Sequence, residues 1–373
     1  MKKIFTSLLL SFTIISIAQE NAKSDDANTI MSIPSGYYNT ATGSGYILKT
    51  QLFNIINDHN DRTYAGLYTT YLTSDKDFYY ENNGTLLDMY TENPAGAECE
   101  FTYGINQDDG TLGNNECERY NREHLVPQSV FGGSSGLPMH SDAHFVVPSD
   151  KYVNAQRGDL PFSKVNVANA TYSNGSKRGS NLNTGYSSGY IGSVFEPIDE
   201  FKGDIARMLL YFATRYEDQV AGWNFSMFNG TSTQVFTNQA LNVLLTWNQQ
   251  DPVSQREIAR NNAIYARQNN RNPFIDLNQY VTTIWGQPLG TATFDSLALV
   301  TIYPNPSSNN INISSEVTLD EIDIITINGQ VIQKIKKPVM VNNYYTISNL
   351  PKGFYFVKMS SDSNSVIKKV LIN

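Results

Sequence analysis

The stretch Tyr120-Asn121-Arg122-Glu123-His124-Leu125-Val126-Pro127 decides how this chain reads. The chain holds 4 histidines. His124 stands directly after a carboxylate and two positions after an arginine. A neutral imidazole takes a proton near pH 7, and an arginine fork fits a phosphate. Downstream lie Met139-His140-Ser141-Asp142-Ala143-His144-Phe145, then Pro148, Asn154 and Arg157. Carboxylate and amide oxygens are hard ligands that suit Mg²⁺ or Ca²⁺. The two patches therefore supply a base, oxygen donors for a metal, and a cation for an anionic substrate.

Three blocks in this order, Asn121 to Pro127, Asp142 to Pro148 and Asn154-Ala155-Gln156-Arg157, resemble the endonuclease I family. These are exported nucleases with a ββα-metal (His-Me finger) site. Glu-His alone would be weak; the order and spacing of all three blocks make the match specific. The resemblance runs from about Pro34 to Gly286 and takes in FEPIDEFKGDIAR and DPVSQREIARNNAIYARQNNRNPFID. It implies an α+β nuclease domain with surrounding helices. The implied reaction is metal-dependent, sequence-nonspecific hydrolysis of DNA to 5′-phosphate products, with RNA left open as a second substrate. By the same resemblance His124 is the general base, and Arg157 holds the scissile or a neighbouring phosphate. Glu123 and Asn154 hold one metal, with Mg²⁺, Ca²⁺ and Mn²⁺ all open. Asn121, Arg122, Asp142 and His144 brace the site, direct metal contact by Asp142 or His144 being the alternative. The chain departs from the common family text at Phe145 and Leu277, where relatives often carry His, and at Gly158-Asp159. His140 reads as a structural or rim residue. A zinc hydrolase built on His124, His140 and His144 lacks HExxH-type spacing.

At 373 residues the chain has room for two domains. Lys2 and Lys3 precede an apolar run from Ile4 to Ile17, and Ser16-Ile17-Ala18 gives the small-x-small pattern of signal cleavage. Residues 1–18 therefore read as an export signal, and 19–33 as a polar segment before the nuclease domain at 34–286. Cys99 and Cys117 are an even count in an exported chain, and so read as a disulfide, with two free thiols as the alternative. Such a bridge would contribute roughly 3 kcal/mol by loop entropy.

Net charge is −8, which excludes binding to nucleic acid through bulk charge. The distribution is uneven. Residues 58–118 hold 13 acids and two bases, whereas 119–178 hold seven bases against four acids. A local cationic cleft on an acidic body can still bind phosphates.

Along the chain, Leu48, Leu52, Ile55 and Ile56 predict an amphipathic helix from Gly45. His59, at its end, reads as a capping or core histidine. The resemblance puts the Glu-His block on a β-element and runs Asp142 to Arg157 through a strand-turn into a helix. Residues 169–193, rich in Gly, Ser and Asn, read as a long surface loop. Phe201 to Phe212 and residues 238–249 predict buried helices. Asp251-Pro252 reads as a helix start, with Asp as N-cap and Pro at the first helical position. That helix carries Arg256, Arg260 and Arg267 along one face, either solvated or in contact with substrate phosphates. Asn272-Pro273-Phe274 closes it.

Residues 287–301 read as a linker. Short runs rich in Val, Ile, Tyr and Phe follow over 302–373, punctuated by turns such as Asn328-Gly329, and predict a small all-β sandwich. Tyr303-Pro304-Asn305-Pro306, Leu350-Pro351-Lys352-Gly353-Phe354-Tyr355 and the basic-apolar end Lys368 to Ile372 resemble the sorting domain of type IX secretion cargo. The resemblance implies a monomer that is exported through the periplasm, is recognised by outer-membrane machinery, and ends secreted or on the cell surface without stable membrane insertion. The competing reading is an adhesin or glycan-binding protein on an inactive nuclease fold.

Overall fold

The computed structural model describes residues 33–133, 136–286, 300–315, 318–341, 344–361 and 364–373. The expected export signal, the polar segment up to residue 32 and the linker residues 287–299 lie outside the described residues. Among the described residues, no helix is long and apolar enough to cross a membrane. The fold is mixed α and β, with a strand-rich C-terminal part.

Helix α1 spans Gly45–Ile56 and buries Leu48, Leu52 and Ile56, residues four apart on one face. Helix α2 spans Leu67–Ser74. Strand β1, Tyr120–His124, leads through the one-turn helix α3, Gln128–Phe131, to strand β2, Val146–Asp150. The two strands pair antiparallel, with Glu123 opposite Val147 and His124 opposite Val146. Helix α4, Lys151–Arg157, follows β2 without a break. Its N-cap is Asp150, whose side chain accepts from Val153 N at 2.9 Å and from Cys117 N at 2.7 Å. Cys99 and Cys117 form a disulfide, so the bridged loop is tied to the start of α4.

Residues 169–193 are not a long loop. Strands β3 (Val165–Thr171), β4 (Lys177–Asn181) and β5 (Ser193–Glu196) form an antiparallel sheet in that order. Five of the seven β3 residues are exposed, so the strand shows no apolar alternation for a sequence pattern to catch. What fixes it is close backbone approach: a Cβ on Gly179 would lie 2.0 Å from the Val167 carbonyl oxygen.

Helix α5, Lys202–Arg215, is buried along its whole length and forms the centre of the larger core. It packs against α1 and against α6, Asn238–Gln250. Helix α7 spans Gln255–Gln268. It does not start at Asp251-Pro252. Ser254 is its N-cap, in a reciprocal capping box with Glu257. Asp251 instead accepts from Gly203 N at 2.7 Å, at the start of α5. Asn272 does more than close α7, since its side chain caps α8, Pro273–Asp276. Helix α9, Gln279–Trp285, completes this part.

The C-terminal part has a separate apolar core. Strands β6 (Thr301–Tyr303), β7 (Ile311–Ser314) and β10 (Tyr344–Ile347) form one sheet, ordered β10-β7-β6. Strands β8 (Glu321–Thr326), β9 (Val331–Lys336), β11 (Gly353–Ser361) and β12 (Asn364–Ile372) form the other, ordered β12-β11-β8-β9. Alternate residues Tyr355, Val357 and Met359 of β11 face inward. They join Ile322 and Ile324 of the same sheet and Ile311, Ile313 and Tyr345 of the other.

Candidate active site

Strand β1 and helix α4 carry the residues singled out by the sequence. Asn154 and Arg157 are three apart on α4, so they share the face laid on β1. Asn154 Nδ2 donates to Asn121 Oδ1 at 2.8 Å and to the Arg122 carbonyl at 3.3 Å. This turns the amide so that its oxygen is left over. Arg157 lies fully buried and spends its guanidinium inside the protein. Its Nη1 donates to Glu123 Oε1 and to the His124 carbonyl, both at 3.0 Å. Its Nη2 donates to the Leu125 carbonyl at 2.7 Å and its Nε to the Leu160 carbonyl at 3.0 Å. The sequence expectation that Arg157 meets a phosphate is therefore not what this geometry offers. Every nitrogen of the fork is already engaged, and the side chain is out of reach of solvent.

Glu123 Oε1 also accepts from the Tyr90 hydroxyl at 2.8 Å. Burial pushes the Glu123 carboxyl up to about 6, although Arg157 and Tyr90 pull it down. Among the described residues, Glu123 Oε2 and Asn154 Oδ1 receive no hydrogen bond. One carboxylate oxygen and one amide oxygen, both hard and both unspent, fit a Mg²⁺ that keeps most of its waters.

His124 faces away from Arg157. Its Nε2 lies 3.1 Å from the His140 carbonyl oxygen. A carbonyl only accepts, so Nε2 carries the proton and Nδ1 holds the lone pair. Gln128 Nε2, 2.9 Å away, donates to that lone pair. The ring sits among Tyr64, Phe131, His140 and Phe145, with ring centroids 5.5–6.0 Å away. Burial pulls the imidazole down to about 3, against the bond to His140. It is thus neutral at any ordinary pH. Arg122 supplies a second cation near the ring. Its guanidinium lies 3.5 Å from the centre of the Tyr64 ring, donates to the Tyr64 carbonyl at 2.9 Å, and is half-buried rather than sealed.

Asp142 and His144 touch neither Glu123 nor Asn154. Asp142 is buried behind β2, where Oδ2 accepts from the hydroxyls of Tyr211 and Tyr216, both at 2.8 Å. Its Oδ1 accepts from Gln268 Nε2 at 2.9 Å and from His144 N at 3.0 Å. Burial raises the Asp142 carboxyl, but His59, His144 and the Gln268 bond together hold it down to about 2. His144 Nε2 lies 3.0 Å from the Asn270 carbonyl oxygen, and burial lowers this ring to about 4. His59 Nδ1 accepts from Arg215 at 2.9 Å, a core partner rather than a ligand.

The α7 arginines correct the expectation of a phosphate-binding face. Arg256 is buried and paired with Asp204. Arg260 is buried on Asp75 at 2.8 Å and on the Ala143 carbonyl at 2.7 Å, where it holds the turn before β2. Arg267 is half-buried and donates to Thr70 Oγ1 at 2.9 Å. An i, i+4 repeat of arginines marks a face of a helix but does not say which way that face points. Tyr90 and Gln128 escaped the sequence reading. Gln128 is four residues after His124, and Tyr90 reaches Glu123 across 33 positions with no local signal.

The family model described as Endonuclease I matches residues 44–279, and that of the secretion system C-terminal sorting domain matches residues 301–373. An extracellular ribonuclease of Bacillus amyloliquefaciens is 35% identical over 253 residues, covering 67% of this chain and 78% of the relative. An extracellular ribonuclease of Bacillus subtilis (strain 168) is 33% identical over 279 residues, covering 73% of this chain and 84% of the relative.

Proposed function

The chain belongs to the endonuclease I family, and on that premise we propose that this secreted nuclease is a metal-dependent endonuclease cutting both DNA and RNA without sequence preference. The observation that carries the reading is the fixed tautomer of His124. With Nε2 tied to the His140 carbonyl, Nδ1 is the one nitrogen that can accept a proton. The ring is neutral and so need lose no proton first, but the burial that holds it at about 3 also weakens it as a base, so the proton it takes must be stabilised by the charges of the bound phosphate.

In the proposed reaction Gln128 yields its place on Nδ1 to a water, and His124 takes that water's proton as the oxygen attacks phosphorus in line. The bond to the 3′-oxygen breaks and that oxygen takes a proton from solvent, leaving a 5′-phosphate and a 3′-hydroxyl. Glu123 Oε2 and Asn154 Oδ1 would hold a Mg²⁺ (or Ca²⁺ or Mn²⁺), which would supply positive charge against the negative charge that builds up in the transition state. Arg157 acts as a positioning residue: it orients the Glu123 carboxylate and fixes the chain turn at His124 and Leu125. Arg122, stacked on Tyr64, takes the phosphate contact first expected of Arg157. All these groups address the phosphodiester, which is the same at every step of the strand, so no sequence preference follows. An external water, rather than a ribose 2′-hydroxyl, is the nucleophile, so DNA and RNA are both substrates. Residues 34–286 form the nuclease domain in this reading, and 302–373 are the address read by the outer-membrane machinery.

The test is cleavage of supercoiled plasmid and of RNA by wild type and His124→Ala, in Mg²⁺ and in EDTA. His124→Ala should lose on the order of 10²–10⁴-fold on both substrates, and EDTA should abolish both activities. Activity within a few-fold of wild type in His124→Ala removes the base. Cleavage of RNA alone points to attack by the 2′-hydroxyl instead.

A further inference from the structure

Glu92 is 1% exposed, and both of its carboxylate oxygens are buried with no hydrogen-bond partner. Its neighbours make this stranger. The side chain faces Glu98, with Glu81 and Asp77 close by. One carboxylate oxygen each from Asp77, Glu81 and Glu98 lies within 4.8 Å of the others. Among the described residues, none of the four acids pairs with a lysine, arginine or histidine. The Asp77 carboxylate does accept from the backbone: Oδ1 from Tyr79 N at 3.2 Å and Tyr80 N at 3.1 Å, and Oδ2 from Glu81 N at 3.1 Å. Those bonds shape the loop, and they leave the like charges unanswered. A buried carboxylate without a donor is strongly disfavoured unless a proton or a cation answers it. A proton shared by Glu92 and Glu98 would settle that pair and leave Asp77 and Glu81 beside it.

We propose that Asp77, Glu81, Glu92 and Glu98 form a calcium site, separate from the nuclease centre, that locks the segment leading to β1. Ca²⁺ takes six to eight oxygens at about 2.3–2.6 Å, so ligands on opposite sides of the ion stand up to about 5 Å apart. The spread of the three carboxylates matches that sphere. Mg²⁺ binds closer, in a strict octahedron that keeps water, and four converging carboxylates suit it poorly. The site shares no donor with Glu123 or Asn154. Its placement gives it a task. Glu92 is two residues beyond Tyr90, which bonds Glu123, and Glu98 adjoins Cys99 of the disulfide. The ion would pin both ends of this stretch onto the loop after α2.

The experiment is thermal melting and calorimetry of the full secreted chain, stripped with EGTA and then titrated with Ca²⁺. At a Ca²⁺ concentration about 100 times Kd, Tm should rise by about 5–10 °C. Glu92→Gln and Glu98→Gln should each weaken Ca²⁺ binding by at least about ten-fold. Without Ca²⁺, Glu92→Gln should melt no lower than wild type, since it removes an unpaired buried charge; this also shows that the variant folds. Glu123→Gln should keep the Ca²⁺ shift. The proposal falls if wild type shows no shift, if Glu92→Gln and Glu98→Gln shift as wild type does, or if Glu123→Gln abolishes the shift. A nuclease inactive in Mg²⁺ that still shows the wild-type Ca²⁺ shift would sink the catalytic reading and leave this one standing.

Discussion

Replacing Arg157 with alanine separates a residue that holds the site together from one that holds substrate. The guanidinium is buried, pairs with Glu123 Oε1 at 3.0 Å, and donates to the carbonyls of His124, Leu125 and Leu160. Breaking a buried pair by removing one partner costs about 3–5 kcal/mol. For a domain of this size that corresponds to a fall in Tm of about 6–20 °C. A second effect follows from charge. Arg157 lowers the Glu123 carboxyl, which burial nevertheless keeps at about 6. Without the guanidinium that value moves up, so more Glu123 is protonated at neutral pH and metal binds less well there. The loss should shrink as pH rises, because deprotonation at higher pH restores the ligand. Melting curves and Mg²⁺ titrations from pH 6 to 9 would measure both effects. The reasoning is refuted if Arg157→Ala melts like wild type, binds Mg²⁺ with an unchanged pH dependence, and yet loses activity; Arg157 would then be a phosphate ligand after all.

Other expectations follow from the same geometry. Glu123→Ala and Asn154→Ala should each weaken Mg²⁺ binding, with excess Mg²⁺ partly rescuing the milder variant; wild-type affinity in both, by calorimetry, would discard the ligand pair. Asp142 titrates at about 2 when folded, against an ordinary 3.8, so its stabilising share is present above pH 3.8 and is lost as pH falls towards 2. That share is about 2 kcal/mol, and Asp142→Asn should flatten the acid unfolding curve over that interval; an unchanged curve counts against the network. A chain ending near Gly290 should fold and cut plasmid in vitro but remain in the periplasm of its host. Loss of activity in the purified truncate would make the tail part of the enzyme, and unchanged secretion would remove its sorting role.

Residues near one another in the chain were enough to identify the family, the β1 and β2–α4 framework, the α1, α5 and α6 helices, and the β-rich tail. The helices follow from a period of about 3.6 for a buried face and the tail from alternating apolar runs, whereas the family and the β1 and β2–α4 framework came from the resemblance carried by Asn121-Arg122-Glu123-His124 and Asn154 to Arg157. Tertiary structure decided everything that depends on direction. The sequence presents Arg157, Arg256 and Arg260 as three cations. Packing turns each inward, onto Glu123, Asp204 and Asp75, because a buried carboxylate needs a partner more than a surface needs charge. The polar β3 strand was likewise illegible, since backbone pairing and the close approach at Gly179 support it without an apolar pattern. The tautomer of His124 rests on a carbonyl 16 residues away, and the orientation of Glu123 on a tyrosine 33 residues away. Local spacing can name such groups, but only the folded chain brings their partners within hydrogen-bonding distance.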